Sequence, residues 1–292
     1  MANWFATAPE EQLKGKTAII MGGGSGIGKA TAEQFAAAGA NIMVCGVPEQ
    51  ICLDTAEELR AAGGKAIGMV CDGTDANQVQ AMIDKTVAEF GDIDILISTA
   101  GISLPRMNAM DATEADWDKI FAVNAKANFF LATAVARFMK EKGHGGKMVL
   151  ISSQRGISAM ENIALYSITK AAVMGMVRSL AVDFAPYGIT VNGIAPGYVM
   201  TPMVEKVFAD NPAQKDYVYG RTPSKVKMGS LEEMANAIYF RLPSTPPVRR
   251  SFSMVAGPSS KCFVRAAAFR WLHLFLPFHF IPIERGCTWK VQ

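Results

Sequence analysis

The sequence is poor in the residues that bind metals or staple small folds. It has three histidines and five cysteines in 292 residues, and Cys45, Cys52, Cys71, Cys262 and Cys287 include no Cys-x-x-Cys pair. An odd count at wide spacing argues against a disulfide scaffold and against a zinc site. Reduced thiols and a cytoplasmic location are the expectation, and no metal site is expected. His273 and His279 stand without a carboxylate or cysteine cluster beside them, so they read as packed or solvated side chains. Charge of one sign is also lacking. Twenty-nine basic residues against 26 acidic leave +3, too little to suggest nucleic-acid binding. Nor is there a run of about 20 apolar residues, the length a membrane helix needs. The most apolar stretch, 266–283, is broken by Arg270, two histidines and two prolines. The N-terminal residues lack a basic stretch followed by an apolar one, so no secretory signal is expected.

Half of the residues are apolar, enough for one substantial core. Short apolar runs alternate with helical patterns. Strands are expected over 17–21, 41–45, 65–70, 93–98, 146–151 and 190–194, and helices over 29–38, 51–62, 76–90, 114–140, 163–184 and 231–240. That alternation implies an α/β fold, a parallel sheet with helices on both faces. Ligands of such sheets bind beyond the C-terminal strand ends. Gly22, Asp72, Ser98, Ser153 and Pro196 would then share one rim.

Two motifs lie on that rim. Gly22-Gly23-Gly24-Ser25-Gly26-Ile27-Gly28 joins the first strand to the first helix. A glycine-rich turn of this kind lets backbone amides approach a pyrophosphate at a helix N-terminus; a purely structural turn is the alternative. Tyr166 stands four residues before Lys170, with Ser153 thirteen residues before the tyrosine. On one helix, i and i+4 side chains share a face. Unit charges about 4 Å apart at an effective dielectric of about 20 interact by roughly 4 kcal/mol. That would lower the phenol pKa from its ordinary value of about 10 by up to about 3 units. A helix with a packed tyrosine and a solvated lysine has the same spacing, so the pair gains its weight from its surroundings.

Together these residues resemble the short-chain dehydrogenase/reductase (SDR) family over about residues 13–240. The resemblance implies a three-layer, Rossmann-like doubly wound parallel sheet. It implies a catalytic tetrad of Asn124, Ser153, Tyr166 and Lys170. It places the cofactor against Gly22, Gly24, Ser25, Ile27, Asp72, Gly73, Thr99, Ala100, Gly101, Tyr166, Lys170, Pro196, Gly197, Val199 and Thr201, with Asp72 against the adenine amine. Gly26 and Gly28 complete the nucleotide loop. Met21 departs from the family's usual threonine, and Ser98-Thr99 from its two asparagines, each expected to weaken a local hydrogen bond. The implied reaction is reversible hydride transfer between a nicotinamide and a secondary alcohol or ketone. In it Tyr166 is the general acid/base, Lys170 depresses its pKa and binds the ribose, Ser153 holds the substrate oxygen, and Asn124 keeps Lys170 and a relay water in place. A nucleotide-binding scaffold without useful catalysis is the alternative. NAD and NADP stay undecided, because Gly46 offers neither the acid that pairs with ribose hydroxyls nor the arginine that accepts a 2′-phosphate, and Ser25 is neutral as well. The implied partners are a small-molecule alcohol or ketone and further copies of the chain, as a homodimer or homotetramer.

The resemblance also implies that the segment 200–227 forms a lid. Its methionines, with Met107 and Met160, suit an apolar alicyclic, steroid-like or acyl substrate, whereas Arg155 and Glu161 suit a polyol or sugar acid. The chain divides into a cofactor-binding catalytic domain, 1–240, and an atypical tail, 241–292. The tail carries eight basic residues and only Glu284 as an acid, a net +7, leaving −4 for the rest. A translational frame change near residue 241 and a genuine oligomerisation extension both account for it. No convincing last strand is visible there; 253–257 is the nearest candidate, and the expectation is a sheet without its final strand.

Overall fold

The computed structural model describes residues 12–221, 228–242 and 252–255. From β1 (Thr17–Met21) the chain alternates through α1 (Gly26–Ala37), β2 (Asn41–Gly46), α2 (Glu49–Ala61), β3 (Lys65–Val70), α3 (Ala76–Phe90) and β4 (Ile95–Ser98). Then come α4 (Glu114–Phe121), α5 (Asn128–Lys142), β5 (Gly146–Ile151), α6 (Ala164–Phe184) and β6 (Ile189–Pro196). Helices α7 (Pro202–Asp210), α8 (Pro212–Arg221) and α9 (Leu231–Phe240) follow, and β7 (Phe252–Val255) is the last described element. The strands form one parallel sheet in the order β3-β2-β1-β4-β5-β6-β7. The winding direction reverses between β1 and β4, and the crevice at that switch point is where such sheets take ligands.

Period-two alternation divides the core between the two faces. Ile19, Met43, Leu96 and Met148 point to one side and meet Val79 of α3, Leu131 of α5 and Val173 of α6. Their neighbours Ile20, Ile42, Ile97 and Val149 point the other way and meet Phe35 of α1, Leu59 of α2 and Ile238 of α9. Burying each such side chain contributes about 1.5–3 kcal/mol. Because both faces are covered, the strands read as continuous apolar runs. The three-layer doubly wound fold is as expected.

Two expectations need correction. Residues 114–140 do not form one helix, because a π-helical turn over Ala122–Ala127 separates α4 from α5. The Nδ2 group of Asn128 donates to the carbonyls of Val123 at 3.4 Å and Asn124 at 3.0 Å, competing with the regular ladder. The wider turn carries Asn124 into the interior. Turns of this kind occur often at functional sites. The last strand, expected to be missing, is present as β7, paired in parallel from Gly193↔Phe252 to Pro196↔Val255. The backbone of β6 offers an unpaired edge, and a ladder satisfies it whatever side chains the partner brings. The remainder of the tail, 266–283 included, lies outside the described residues, as do 222–227 of the expected lid. No helix among the described residues is long and apolar enough to cross a membrane.

Candidate active site

The glycine turn is built by steric exclusion. Gly22 has φ +80, and its N–H donates to the Cys45 carbonyl at 2.7 Å. A Cβ there would lie 2.5 Å from Thr99 Oγ1, and one on Gly28 would collide with the Gly22 carbonyl oxygen. At Gly24 a Cβ would meet Ile51 Cγ1 at 2.6 Å. Only glycine lets α1 begin this close to β1. Ser25 occupies the N-cap of α1, yet its hydroxyl makes no capping bond, and no acid stands in the first turn. The amides at this helix end are left uncapped by side chains, and their dipole favours an anion. That combination fits the diphosphate of a dinucleotide. Ile27 anchors the turn by packing against the second core face.

The ends of the other strands converge on this turn. Thr99 Oγ1 donates to the carbonyls of Met21 at 3.0 Å and Gly22 at 3.3 Å, tying β4 to the glycine loop. Ser98 Oγ donates to Asn128 Oδ1 at 2.6 Å. The serine and threonine therefore make hydrogen bonds of their own where weakened ones were expected, while Met21 simply packs in the core. Ala100 offers its carbonyl to Asn128 Nδ2 at 3.4 Å. Asp72 uses Oδ1 to accept from Thr74 N at 2.9 Å and Thr74 Oγ1 at 2.8 Å. Gly73 lies against Ala127, to which a Cβ would come within 3.4 Å. On the far side Pro196 ends β6, Gly197 follows, and Val199 makes a parallel bridge to Gly229. Thr201 faces Gly26, where a Cβ would lie 3.7 Å from its Cγ2. The segment after β6 thus closes over the glycine turn. At the end of β2, Gly46 and the exposed Val47 present no charge.

Asn124, Ser153, Tyr166 and Lys170 are brought to the same rim. Asn124 is fully buried; its Oδ1 accepts from Ile102 N at 2.7 Å, and its Nδ2 donates to Ile102 O at 2.9 Å and Thr169 Oγ1 at 3.1 Å. Lys170 is buried and donates from Nζ to the Ile151 carbonyl at 3.1 Å. Burial pushes its pKa down to about 8. A Cβ on Gly101 would lie 3.0 Å from this ammonium and 3.3 Å from Asn124 Oδ1, so a larger residue there would press on both side chains. Ser153 Oγ accepts from Arg155 N at 3.2 Å and so caps the short 3-10 turn Gln154–Gly156. Ser152 faces elsewhere, donating to the Lys170 carbonyl at 2.6 Å.

The pKa of Tyr166 differs from expectation. Burial raises it, and a hydrogen bond with Ser153 and the charge of Arg155 pull it partly back. Lys170 Nζ lies 5.7 Å from the centroid of the tyrosine ring, and burial lowers its own pKa to about 8. The spacing brings the pair to one face, but it does not supply the anticipated depression in the free protein. Sequence reasoning also missed Thr169 and Tyr198. Thr169 has no motif of its own; Tyr198 stands inside the Pro196–Val199 segment and could have been noticed there. Beside Tyr166 lies an open, shallow depression with Leu104, Met107, Ile163 and Leu165 in its wall.

Comparison with known proteins gives consistent results. A family model described as short chain dehydrogenase matches residues 16–212. An uncharacterized oxidoreductase of Thermotoga maritima is 38% identical over 231 residues, covering 78% of this chain and 90% of the relative. The 2-dehydro-3-deoxy-D-gluconate 5-dehydrogenase of Dickeya dadantii is 36% identical over 212 residues, covering 73% and 82%. The crystal structure of a short-chain type dehydrogenase/reductase from Mycobacterium marinum aligns with a TM-score of 0.73 at 33% identity, covering 79% of this chain and 89% of that one.

Proposed function

We propose that this chain, which belongs to the short-chain dehydrogenase family of oxidoreductases, interconverts a secondary alcohol and a ketone with Tyr166 as general acid/base. The observation that carries this reading is the convergence of Tyr166, Ser153, Lys170 and Asn124 on the rim that also holds the glycine turn. A bound nicotinamide cofactor, NAD or NADP, would accept hydride from the carbinol carbon or return it to the carbonyl carbon.

The chain's own residues handle the oxygen and its proton. Ser153 holds the substrate oxygen by a hydrogen bond and fixes the reacting geometry. In the oxidative direction the alcohol O–H bond breaks and its proton passes to the Tyr166 phenolate; in reduction the phenol returns it to the developing alkoxide. Burial raises the Tyr166 phenol, so in the free protein it keeps its proton: the phenol that reduction uses is already present, whereas the phenolate that oxidation uses must first be formed. Lys170 adds positive charge at the ribose end, held there by the Ile151 carbonyl. The amide of Asn124 fixes the 102 backbone and the Thr169 hydroxyl beside that lysine. Gly22, Gly24, Ser25 and Ile27 would hold the diphosphate, Asp72, Gly73, Thr99, Ala100 and Gly101 the adenine half, and Pro196, Gly197, Val199 and Thr201 the nicotinamide half. We further propose a homodimer or homotetramer, since Phe129 and Phe130 of α5 and Ile168 of α6 expose apolar surface that a second copy would cover.

Absorbance in the reduced-nicotinamide band, followed across a panel of ketones and alcohols, tests the reading. Tyr166→Phe should lower turnover by about 100-fold or more, the scale of a lost general acid, while cofactor binding stays near that of the parent. Full activity in that variant removes the mechanism. Tight cofactor binding without turnover of any panel member favours a scaffold role.

A further inference from the structure

Arg155 stands two residues beyond Ser153, and its backbone N–H donates to that serine's hydroxyl. Its side chain crosses to the segment after β6. There the guanidinium carbon lies 5.3 Å from the ring centroid of Tyr198, and Nη2 donates to Tyr198 Oη at 3.3 Å. Nη1 donates to Ser158 Oγ at 3.4 Å. Tyr198 is itself steadied by a contact from Oη to Met160 Sδ at 3.4 Å. Arg155 is half-buried, and its guanidinium reaches from the catalytic loop to the segment after β6.

Its bonding is incomplete in kind. Both hydrogen bonds go to neutral hydroxyls and lie beyond the 2.7–3.2 Å range of good N–H···O bonds. Among the described residues it has no acidic partner. A partly desolvated guanidinium ordinarily pairs with a carboxylate or phosphate, often through two parallel N–H bonds. The cation also lies close enough to act on the Tyr166 phenol. The depression beside Tyr166 is walled by Leu104, Met107, Ile163 and Leu165 and is not lined by Arg155, so the cation stands outside that apolar wall, on the Ser153 side of the site.

We propose that Arg155 is a specificity residue which pairs with a carboxylate on the substrate, so that the alcohol–ketone pair is a hydroxy acid and its keto acid. A carboxylate suits a single guanidinium with two weakly held N–H groups better than a phosphate dianion, which draws on several cations. The Tyr198 ring, 5.3 Å from the guanidinium carbon, keeps the fork in place, and the two long bonds to the hydroxyls of Tyr198 and Ser158 are the ones a carboxylate would displace. The inference rests on the oxidoreductase reading above, and its test separates the two.

The experiment uses the full chain with both cofactors and matched cyclic and acyclic hydroxy acids, their methyl esters and the corresponding phosphate monoesters. The parent should prefer acid over ester in kcat/KM. Arg155→Gln should reduce that preference by about 100-fold, roughly 2.7 kcal/mol, mainly through KM for the acid. Arg155→Lys should recover part of it. An equal loss on acid and ester would overturn the proposal and make Arg155 a structural or phenol-tuning residue. Turnover of esters or neutral alcohols in preference to acids would overturn it while leaving the oxidoreductase reading intact, and a preference for the phosphates would reject the carboxylate. Cofactor binding with no turnover of any compound would remove both.

Discussion

Asn124 and the backbone of Ile102 exchange two hydrogen bonds, N–H to Oδ1 at 2.7 Å and Nδ2–H to carbonyl at 2.9 Å, across 22 residues of sequence. The pair pins the loop after β4 to the π-helical turn. Asn124→Leu removes both partners and leaves the backbone N–H and C=O of Ile102 short of water. Each unsatisfied group costs about 1–3 kcal/mol. Urea unfolding should show a loss of about 3 kcal/mol at an unchanged slope, and Asn124→Asp, which keeps an acceptor, should lose less. If both variants unfold at the parental midpoint, water substitutes for the amide and the asparagine is not a brace.

Under its proposed role, Lys170 sets activity against stability. Its pKa falls from 10.5 to about 8 through burial. At 1.36 kcal/mol per unit this amounts to about 3 kcal/mol of unfavourable charge burial near neutral pH. The sign follows from linkage. The unfolded chain holds the proton more tightly, so this contribution to stability is full above about 10.5 and is lost as pH falls through about 8. In the absence of cofactor, Lys170→Met should therefore unfold at a higher temperature than the parent at pH 7, and the gap should shrink as pH rises from 8 to 10.5. It should also be inactive. A lower unfolding temperature at pH 7 would mean that the bond to Ile151 outweighs the cost of the buried charge.

Discrimination between the two nicotinamide cofactors should be weak. Gly46 and Val47 present neither a carboxylate to repel a 2′-phosphate nor a base to accept it. We expect NADH and NADPH to bind within about 100-fold of one another, roughly 2.7 kcal/mol, when titrated at one ionic strength. A larger ratio would assign the choice to another residue, with Glu49 or Gln50 the first to substitute.

Much of this was legible in the sequence because two strong signals agree: alternation of strand and helix, and glycine where a side chain cannot fit. Gly22 and Gly28 could be singled out because neither position has room for a side chain: one faces the Thr99 hydroxyl, the other the Gly22 carbonyl. The strands of both core faces were visible as apolar runs, since burial on two sides suppresses alternation. The break at 122–127 was not visible. Ala122, Val123 and Ala125 are compatible with a regular helix, and the wider turn depends on where the amides of Asn124 and Asn128 find partners. The pKa of Tyr166 was misjudged for a related reason. Spacing puts Lys170 on the right face, but burial of both groups depends on tertiary packing. Strand β7 overlaps the 253–257 candidate, which is unconvincing by sequence because a four-residue edge strand needs little from its side chains when an open ladder is already waiting.

That short strand has a consequence beyond completing the sheet. Its last pair sets Val255 against Pro196, the residue at which β6 gives way to the segment closing over the glycine turn. Four residue pairs thus tie part of an unusual, strongly basic stretch of sequence to the end of β6, where the segment proposed to hold the nicotinamide half begins. Mechanical disturbance of the tail, by truncation or by a bound neighbour, would reach Tyr198 and Thr201 through the backbone alone. It would appear as altered cofactor affinity before any side chain of the site had been touched.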